Sequence, residues 1–124
     1  ARPAEVPAIL QRQTASVMFY AGGAVSELGR SPTRMAEILG CGRPVVANRG
    51  VGDVAKIVEE NRVGVILEDT SPEALADALE ALDRLLADPE LPLRCRRTAE
   101  EIFSLERGTG AYRRLYREIL GEGA

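Results

Sequence analysis

The sequence predicts an α/β fold: a three-layer, Rossmann-like half-domain with a short parallel sheet of about three strands, covered by helices. Three short apolar runs, at residues 16–20, 44–47 and 63–67, have the length and continuity of strands buried on both faces. A helical pattern follows each run, and this alternation is typical of parallel strand–helix–strand units. A doubly wound nucleotide-binding domain contains two such halves, and this chain has the content of one.

Capping residues, prolines and glycines mark the predicted helix ends. A serine–proline pair opens two helices, at Ser31-Pro32 and Ser71-Pro72, because serine caps a helix and proline favours its first position. Asp53 is the expected cap of the helix between them, and Asn61 can close that helix. Asp88-Pro89 ends the helix that begins at residue 71. The other predicted segments are a glycine-containing loop at Gly22, Gly23 and Gly29, a short helix or turn over 4–13, and two closing helices over 91–103 and 105–120.

Length and composition indicate one soluble domain over residues 1–124. The net charge of −3 and the 4% aromatic content argue against a nucleic-acid partner. Cys41 and Cys95, with no histidine, give neither a metal site nor a disulfide framework, and they fit a reducing cytoplasm. Since the first methionine is Met18, we expect the chain to be a fragment of a longer one.

The stretch from residue 31 to 54 carries the chemistry. The unpaired amides at a helix start bind phosphate, and the hydroxyls of Ser31 and Thr33 and the guanidinium of Arg34 can add hydrogen bonds. One turn further, Glu37 offers a carboxylate, an acceptor that suits two adjacent ribose hydroxyls. The pattern therefore predicts a site for a nucleotide diphosphate at the carboxyl ends of the strands.

The run S-P-T-R-M-A-E-I-L-G-C-G-R-P-V-V-A-N, residues 31–48, resembles the signature of glycosyltransferase family 4. The later G-V-G-D-V, V-G-V-I-L and S-P-E-A-L-A-D-A-L segments are similar to that family's continuation, so the resemblance covers about residues 15–120. It implies a GT-B fold, in which the donor lies between two Rossmann-like domains. It also implies transfer of a sugar from a nucleotide diphosphate donor to an acceptor. The chain would be the C-terminal portion of the donor-binding domain.

Site residues follow from the resemblance position by position. Glu37 matches the second glutamate of the family's E-x7-E motif, which binds the donor ribose. The first glutamate falls at Gly29, a departure that puts the donor-sugar contact in question. The predicted donor-binding set is Ser31, Thr33, Arg34, Glu37, Gly29, Gly50 and Gly52. No catalytic residue, metal or cofactor is indicated, and the nucleotide diphosphate-sugar is a substrate.

Each of these residues also has a purely structural interpretation. Ser31-Pro32 is an ordinary helix start, Glu37 suits a solvated helix face, and Gly50 and Gly52 suit a turn. The arginines near the end of the chain suggest a membrane-facing surface, but interspersed glutamates favour a solvated face. These arginines are Arg94, Arg96, Arg97, Arg113, Arg114 and Arg117.

Two other functions stay open beside the glycosyltransferase. One is a non-enzymatic, degenerate GT-B module that mediates association, favoured by the loss of a glutamate at position 29. The other is a sugar-nucleotide 2-epimerase-like protein, which the absence of histidine disfavours.

The expected partners follow from the predicted fragment. They are a nucleotide-sugar donor, the missing N-terminal domain, and a second copy of the chain that pairs through the strand at 16–20, whose edge would be unpaired. We expect a cytoplasmic protein, with peripheral membrane attachment of the full-length enzyme left open.

Overall fold

A computed structural model describes residues 2–21 and 25–121, and it confirms the predicted α/β architecture. Gly22 and Gly23 of the predicted loop lie outside the described residues. The described elements are a 3-10 turn at Pro3–Glu5, α1 (Val6–Gln11), β1 (Ser16–Met18), α2 (Val25–Leu28), α3 (Thr33–Gly40), β2 (Val45–Asn48), α4 (Val54–Asn61), β3 (Gly64–Leu67), α5 (Pro72–Leu86), α6 (Leu91–Phe103) and α7 (Leu105–Leu120).

The sheet has three parallel strands in the order β1-β2-β3. Val17, Val46 and Val65 are in register across it, and so are Met18, Ala47 and Ile66. Because the strands are parallel and in register, all three end at the same edge of the sheet. Gly64 is in register with Val45, and a Cβ on Gly64 would lie 2.0 Å from the Val45 carbonyl oxygen.

Helices cover both faces of the sheet. On one face α3, α4 and α6 bury a continuous apolar core, because their inward positions recur with helical spacing. On the other face α5 packs over β3, and Ala78 contacts Val46 and Leu67 there. All four residues of β2 are buried, as expected for a central strand between two helical layers. The core on the first face consists of Met18, Met35, Ile38, Leu39, Val45, Ala47, Val51, Val54, Val58, Val63, Leu91, Cys95 and Ala99.

The expected serine cap of α3 is wrong. The helix begins at Thr33, its cap residue is Pro32, and the cap provides no side-chain hydrogen bond. Pro32 is buried and extended, and its carbonyl oxygen accepts the first helical bond from the Met35 N–H at 3.1 Å. Burial of the proline ring shifts the helix start by one residue and leaves Ser31 outside. In α5 the same dipeptide behaves as predicted, since the Ser71 hydroxyl accepts from the Ala74 N–H at 3.2 Å.

Other features differ from the sequence expectation as well. β1 ends at Met18 rather than at residue 20 and is not buried on both faces, since Val17 is 59% exposed. The four-residue helix α2 lies where a loop was expected. Asp53 does precede α4, but its backbone is not extended and its carboxylate caps nothing. Asn61 ties the last turn of α4 by donating to the Ile57 carbonyl at 2.8 Å, while Arg62 takes the left-handed conformation that ends it.

Candidate functional site

The candidate site lies along the edge where the parallel strands end. β1 continues into Tyr20, and β2 continues into the turn that starts at Arg49. The Asn48 side chain joins these two exits. Its amide nitrogen donates to the Tyr20 carbonyl at 2.8 Å, and its carbonyl oxygen accepts from the Tyr20 N–H at 2.9 Å. Asn48 therefore extends the pairing of β1 and β2 beyond the last strand residue.

A second link joins the chain before α3 to the turn after β2. The Gly52 N–H donates to the Glu27 carbonyl at 2.9 Å, and Gly52 has a positive φ of 44°. A Cβ at this position would lie 2.0 Å from the Arg30 carbonyl oxygen, so only glycine allows the two backbones to come this close. The segments that contain the predicted site residues Gly29 and Gly52 therefore lie next to each other.

The start of α3 is exposed at this edge. Ser31, Thr33, Arg34 and Glu37 are all exposed, and Met35, Ile38 and Leu39 take the buried side of the helix. Thr33 and Glu37 are four residues apart and lie on one face, one turn from each other. Within residues 2–21 and 25–121, the side chains of these four residues make no hydrogen bond or ion pair, and no side chain caps the first turn. The helix start therefore offers unpaired amides and two hydroxyls to solvent.

The glycines of the predicted site differ in their surroundings. Gly50 has a positive φ of 90°, and a Cβ there would meet no atom within 4 Å. Gly29 is exposed and equally open, since a Cβ would reach only the Ser26 carbonyl at 4.0 Å. Gly52 is exposed on one side but pressed against the Arg30 backbone on the other. Gly52 is thus required by the packing of two loops, whereas Gly29 and Gly50 leave open surface.

Arg49, at the end of β2, is held by two carboxylates. Its guanidinium contacts Glu59 at 2.5 Å and Glu68 at 2.6 Å. The hydrogen bond to Glu59 and then that to Glu68 raise the pKa of Arg49, and the hydrogen bond from Arg49 lowers the pKa of Glu59. The charge of Arg49 is therefore neutralised locally, while that of Arg34 faces solvent.

Sequence reasoning missed a cluster of three side chains beside this edge. Glu27 is 8% exposed, one of its carboxylate oxygens contacts the Arg30 guanidinium at 3.1 Å, and the other has no partner among the described residues. The Arg30 guanidinium also lies over the Tyr20 ring, 5.0 Å from its centroid. The only sequence signal was the spacing of Glu27 and Arg30, three residues apart on either side of Gly29.

The site is an open edge with one wall. Four grooves of about 310 to 370 Å³ lie elsewhere on the described surface, beside α5, α6 and α7 and the strands that α5 covers. None of the four includes a residue of the predicted set. A ligand at the start of α3 would remain open to solvent on the side away from the sheet.

The sequence model of the glycosyl transferases group 1 family matches residues 3–102. The chain belongs to this family. The match includes the sheet and the described helices up to the last turn of α6, and α7 lies beyond it.

Relatives of known activity are similar over part of their length. The glycogen synthases of two Thermus thermophilus strains and of Thermus caldophilus are each 44% identical to this chain over 80 residues. This region is 64% of the chain and 17% of each glycogen synthase, so the match spans about a sixth of those enzymes. No solved structure matches the chain.

Proposed function

We propose that this glycosyl transferases group 1 chain forms part of the donor-binding domain of a glycosyltransferase and holds the nucleotide diphosphate of a sugar donor. One observation carries the proposal. The first turn of α3 is exposed at the carboxyl edge of the sheet, with hydroxyl, guanidinium and carboxylate side chains that no other described residue engages. In open parallel sheets this edge is where ligands bind.

The diphosphate would sit at the tip of α3. The amides of Thr33 and Arg34 carry the positive end of the helix dipole, and the hydroxyls of Ser31 and Thr33 can donate to phosphate oxygens. The Arg34 guanidinium can add a charge-assisted hydrogen bond. Open backbone at Gly29 and Gly50 would let the phosphates approach closely.

The ribose would sit one turn along the helix. The Glu37 carboxylate lies on the same face as Thr33, about 6 Å further along the axis. It can accept hydrogen bonds from two adjacent hydroxyls. The same helix would thus bind both the diphosphate and the ribose, with the diphosphate nearer the strands.

A second wall is needed to close this site. The donor would be covered by another domain, which would also supply the acceptor site and the catalytic groups. The parent enzyme would transfer a hexose or related sugar. The similar glycogen synthases are far longer than the matched region, which agrees with a site completed elsewhere. The catalytic groups of that other domain would decide whether the anomeric configuration of the sugar is retained or inverted.

The open edge of β1 supports the proposed homodimer of this chain. Among the described residues β1 pairs with β2 alone, and Val17 on it is 59% exposed. Beside it, Val17 and Phe19 line an apolar groove of about 310 Å³ with Leu75 and Leu79 of α5. Since an unpaired strand edge is completed by another strand, a second copy can pair β1 with its own β1. A sedimentation measurement at high concentration tests this, and a monomer would contradict it.

The donor site is tested by titrating UDP, GDP and ADP into isotope-labelled protein and following backbone amide shifts. We expect shifts at residues 29–37 and 50–53 that saturate, and a preference among the three that ranks the bases. Glu37→Ala should weaken binding by about tenfold to a hundredfold, because it removes a charge-assisted hydrogen bond. Glu60→Ala, which removes an exposed glutamate from α4, is the matched control.

Two results would count against the proposal. Shifts located away from α3 would place the ligand elsewhere. No shift at millimolar nucleotide, both in this chain and in the longer parent chain, would favour the association module instead.

A further inference from the structure

The guanidinium of Arg30 is held by two side chains at the carboxyl edge of the sheet. Its Nη2 donates to Oε1 of Glu27 at 3.1 Å, and its Cζ lies 5.0 Å from the centroid of the Tyr20 ring. Tyr20 is itself fixed, because its backbone N–H and carbonyl are both bonded to the Asn48 side chain at the end of β2. The cation is therefore located where the strands end.

The backbone of Arg30 is fixed as well. Its N–H donates to the Glu27 carbonyl at 3.2 Å, and a Cβ on Gly52 would lie 2.0 Å from its own carbonyl oxygen. Arg30 is three residues before Thr33, the first residue of α3, so their Cα atoms are at most about 11 Å apart. Arg30 thus stands beside the helix start to which the diphosphate is assigned.

Most of the hydrogen-bonding capacity of this guanidinium is unused. Among the described residues, Oε1 of Glu27 is the one hydrogen-bond acceptor that the Arg30 side chain contacts, and the remaining N–H groups are available. The Arg30 side chain is 46% exposed, whereas that of Glu27 is 11% exposed. The cation is therefore anchored on one side and open to a ligand on the other.

The other two arginines near this edge are less suited to the same task. Arg49 is bonded to both Glu59 and Glu68, which occupy its donors. Arg34 is exposed and no described side chain holds it, so it must lose conformational freedom when it binds. Since a group fixed in advance avoids that cost, Arg30 is the preorganised donor of the three.

The Glu27 carboxylate accounts for the position of the cation. Glu27 is 8% exposed, and its second oxygen has no partner among the described residues. A buried carboxylate with a single ion pair adds little to stability, so the pair is better explained by the position it gives to Arg30. Because Glu27 also balances the charge, Arg30 must act through directed N–H groups rather than through net charge.

We propose that Arg30 is a further diphosphate-binding residue of this edge and that Glu27 and Tyr20 position its guanidinium. This inference rests on the proposed donor site. The planar guanidinium donates to phosphate oxygens beside the first turn of α3, with a geometry that a lysine ammonium does not reproduce. The set predicted from the sequence contained Arg34 but not Arg30, whose role depends on the packing of three segments.

Titration of isotope-labelled protein with inorganic pyrophosphate, and separately with UDP, GDP and ADP, tests the proposal. Pyrophosphate has neither base nor ribose, so its effect reports phosphate contacts alone. We expect the Nε–H signal of Arg30 to shift with every probe that binds. Arg30→Gln should weaken both pyrophosphate and the preferred nucleotide by about tenfold to a hundredfold, and Arg30→Lys by about tenfold. Glu37→Ala should weaken the nucleotide without weakening pyrophosphate.

Separate variants test the positioning residues. Tyr20→Leu should weaken pyrophosphate binding by about twofold to fivefold, whereas Tyr20→Phe, which keeps the ring, should not. Glu27→Ala should make the Arg30 side chain more mobile in ¹⁵Nε relaxation, which a purely structural role elsewhere in the loop would not do. Arg96→Gln is the matched control, because Arg96 is also paired with a glutamate at 3.1 Å but lies on α6. Far-UV circular dichroism checks that each variant is folded.

The possible failures are distinct. Unchanged pyrophosphate and nucleotide binding in folded Arg30→Gln would overturn the role of Arg30 and leave the donor site standing. Weakened nucleotide binding with unchanged pyrophosphate binding would also overturn it, since Arg30 would then contact the nucleoside. An effect of Arg30→Gln that neither Tyr20→Leu nor Glu27→Ala reproduces in part would overturn the positioning roles. No response to any probe, in this chain and in the longer parent chain, would contradict the donor site and this inference with it.

Discussion

The backbones of Gly52 and Arg30 meet across two loops, with room for no side chain between them. A Cβ on Gly52 would lie 2.0 Å from the Arg30 carbonyl oxygen, and the Gly52 N–H is bonded to the neighbouring Glu27 carbonyl. This contact sets the position of the chain leading into α3 relative to the turn after β2. It therefore fixes one side of the proposed donor site.

Substitution of the two turn glycines by alanine should have unequal effects. Gly52→Ala forces a side chain into a positive-φ position and into backbone, and we expect it to lower the free energy of unfolding by about 3 kcal/mol. Gly50→Ala meets the backbone penalty alone, about 1 to 2 kcal/mol, because a Cβ there touches nothing. Urea unfolding followed by circular dichroism measures both. Equal losses would show that the contact with Arg30 does not constrain the loop.

Loss of the Asn48 amide should loosen the exit of β1. Asn48→Ala removes both hydrogen bonds to Tyr20, and we expect it to destabilise the fold by about 2 kcal/mol. The Tyr20 amide should also exchange with solvent faster, because it loses its acceptor. Asn61→Ala is the comparison, since it removes a single bond to the Ile57 carbonyl and should cost about 1 kcal/mol. Unchanged exchange at Tyr20 would argue against this role of Asn48.

Local patterns predicted the strands and the main helices. The runs that became β1, β2 and β3 were mostly apolar, and α5 and α6 carried amphipathic spacing with clear proline boundaries. Capping was less predictable. Ser31-Pro32 and Ser71-Pro72 are identical dipeptides, but Pro32 is buried whereas Pro72 is exposed. That burial is a tertiary effect with no local signal.

The candidate site was predicted from a family motif, and its surroundings were not. The motif contains Glu37 and the start of α3, which are close in sequence. The pairing of Gly52 with the segment at Glu27 and Arg30 joins residues more than twenty positions apart. It depends on how two loops pack, and neither loop has periodicity. Whether the predicted residues bind a donor stays a prediction.

The ion pair between Asp88 and Arg94 should make stability depend on pH in the acid range. Asp88 accepts from the Glu90 N–H at 3.0 Å and from the Arg94 guanidinium at 2.7 Å. These bonds, the backbone one first, lower the pKa of Asp88 below its ordinary 3.8. A carboxyl group whose pKa is lower in the folded protein than in the unfolded chain stabilises the fold at pH values above its unfolded pKa. This stabilisation is lost as the pH falls through its folded pKa.

The corresponding variant is Asp88→Asn. Its thermal midpoint should lie below that of the unaltered chain at neutral pH, and the difference should shrink as pH falls below about 4. Asp83→Asn, an exposed aspartate on α5, serves as the control. A difference that stays constant down to low pH would mean that the charge of Asp88 does not stabilise the fold.

The two cysteines should react at very different rates. Burial raises the pKa of the Cys95 thiol to about 11, and its side chain lies in the core between α3 and α6. Cys41, at the end of α3, is only half-buried. Because the thiolate is the reactive form, iodoacetamide at neutral pH should alkylate Cys41 first and leave Cys95 intact.

Alkylation of Cys95 should then report the opening of the core. In Cys41→Ser, mass spectrometry should show slow modification whose rate rises with urea. The rate should rise in parallel with the unfolded fraction, since the thiol becomes accessible only when α6 leaves α3. Raising the pH to about 9 should also speed the reaction, because the opened thiol ionises near its ordinary pKa of 9.0 while the folded thiol stays protonated. Fast alkylation of Cys95 in folded protein would show that α6 separates from α3 without unfolding of the rest.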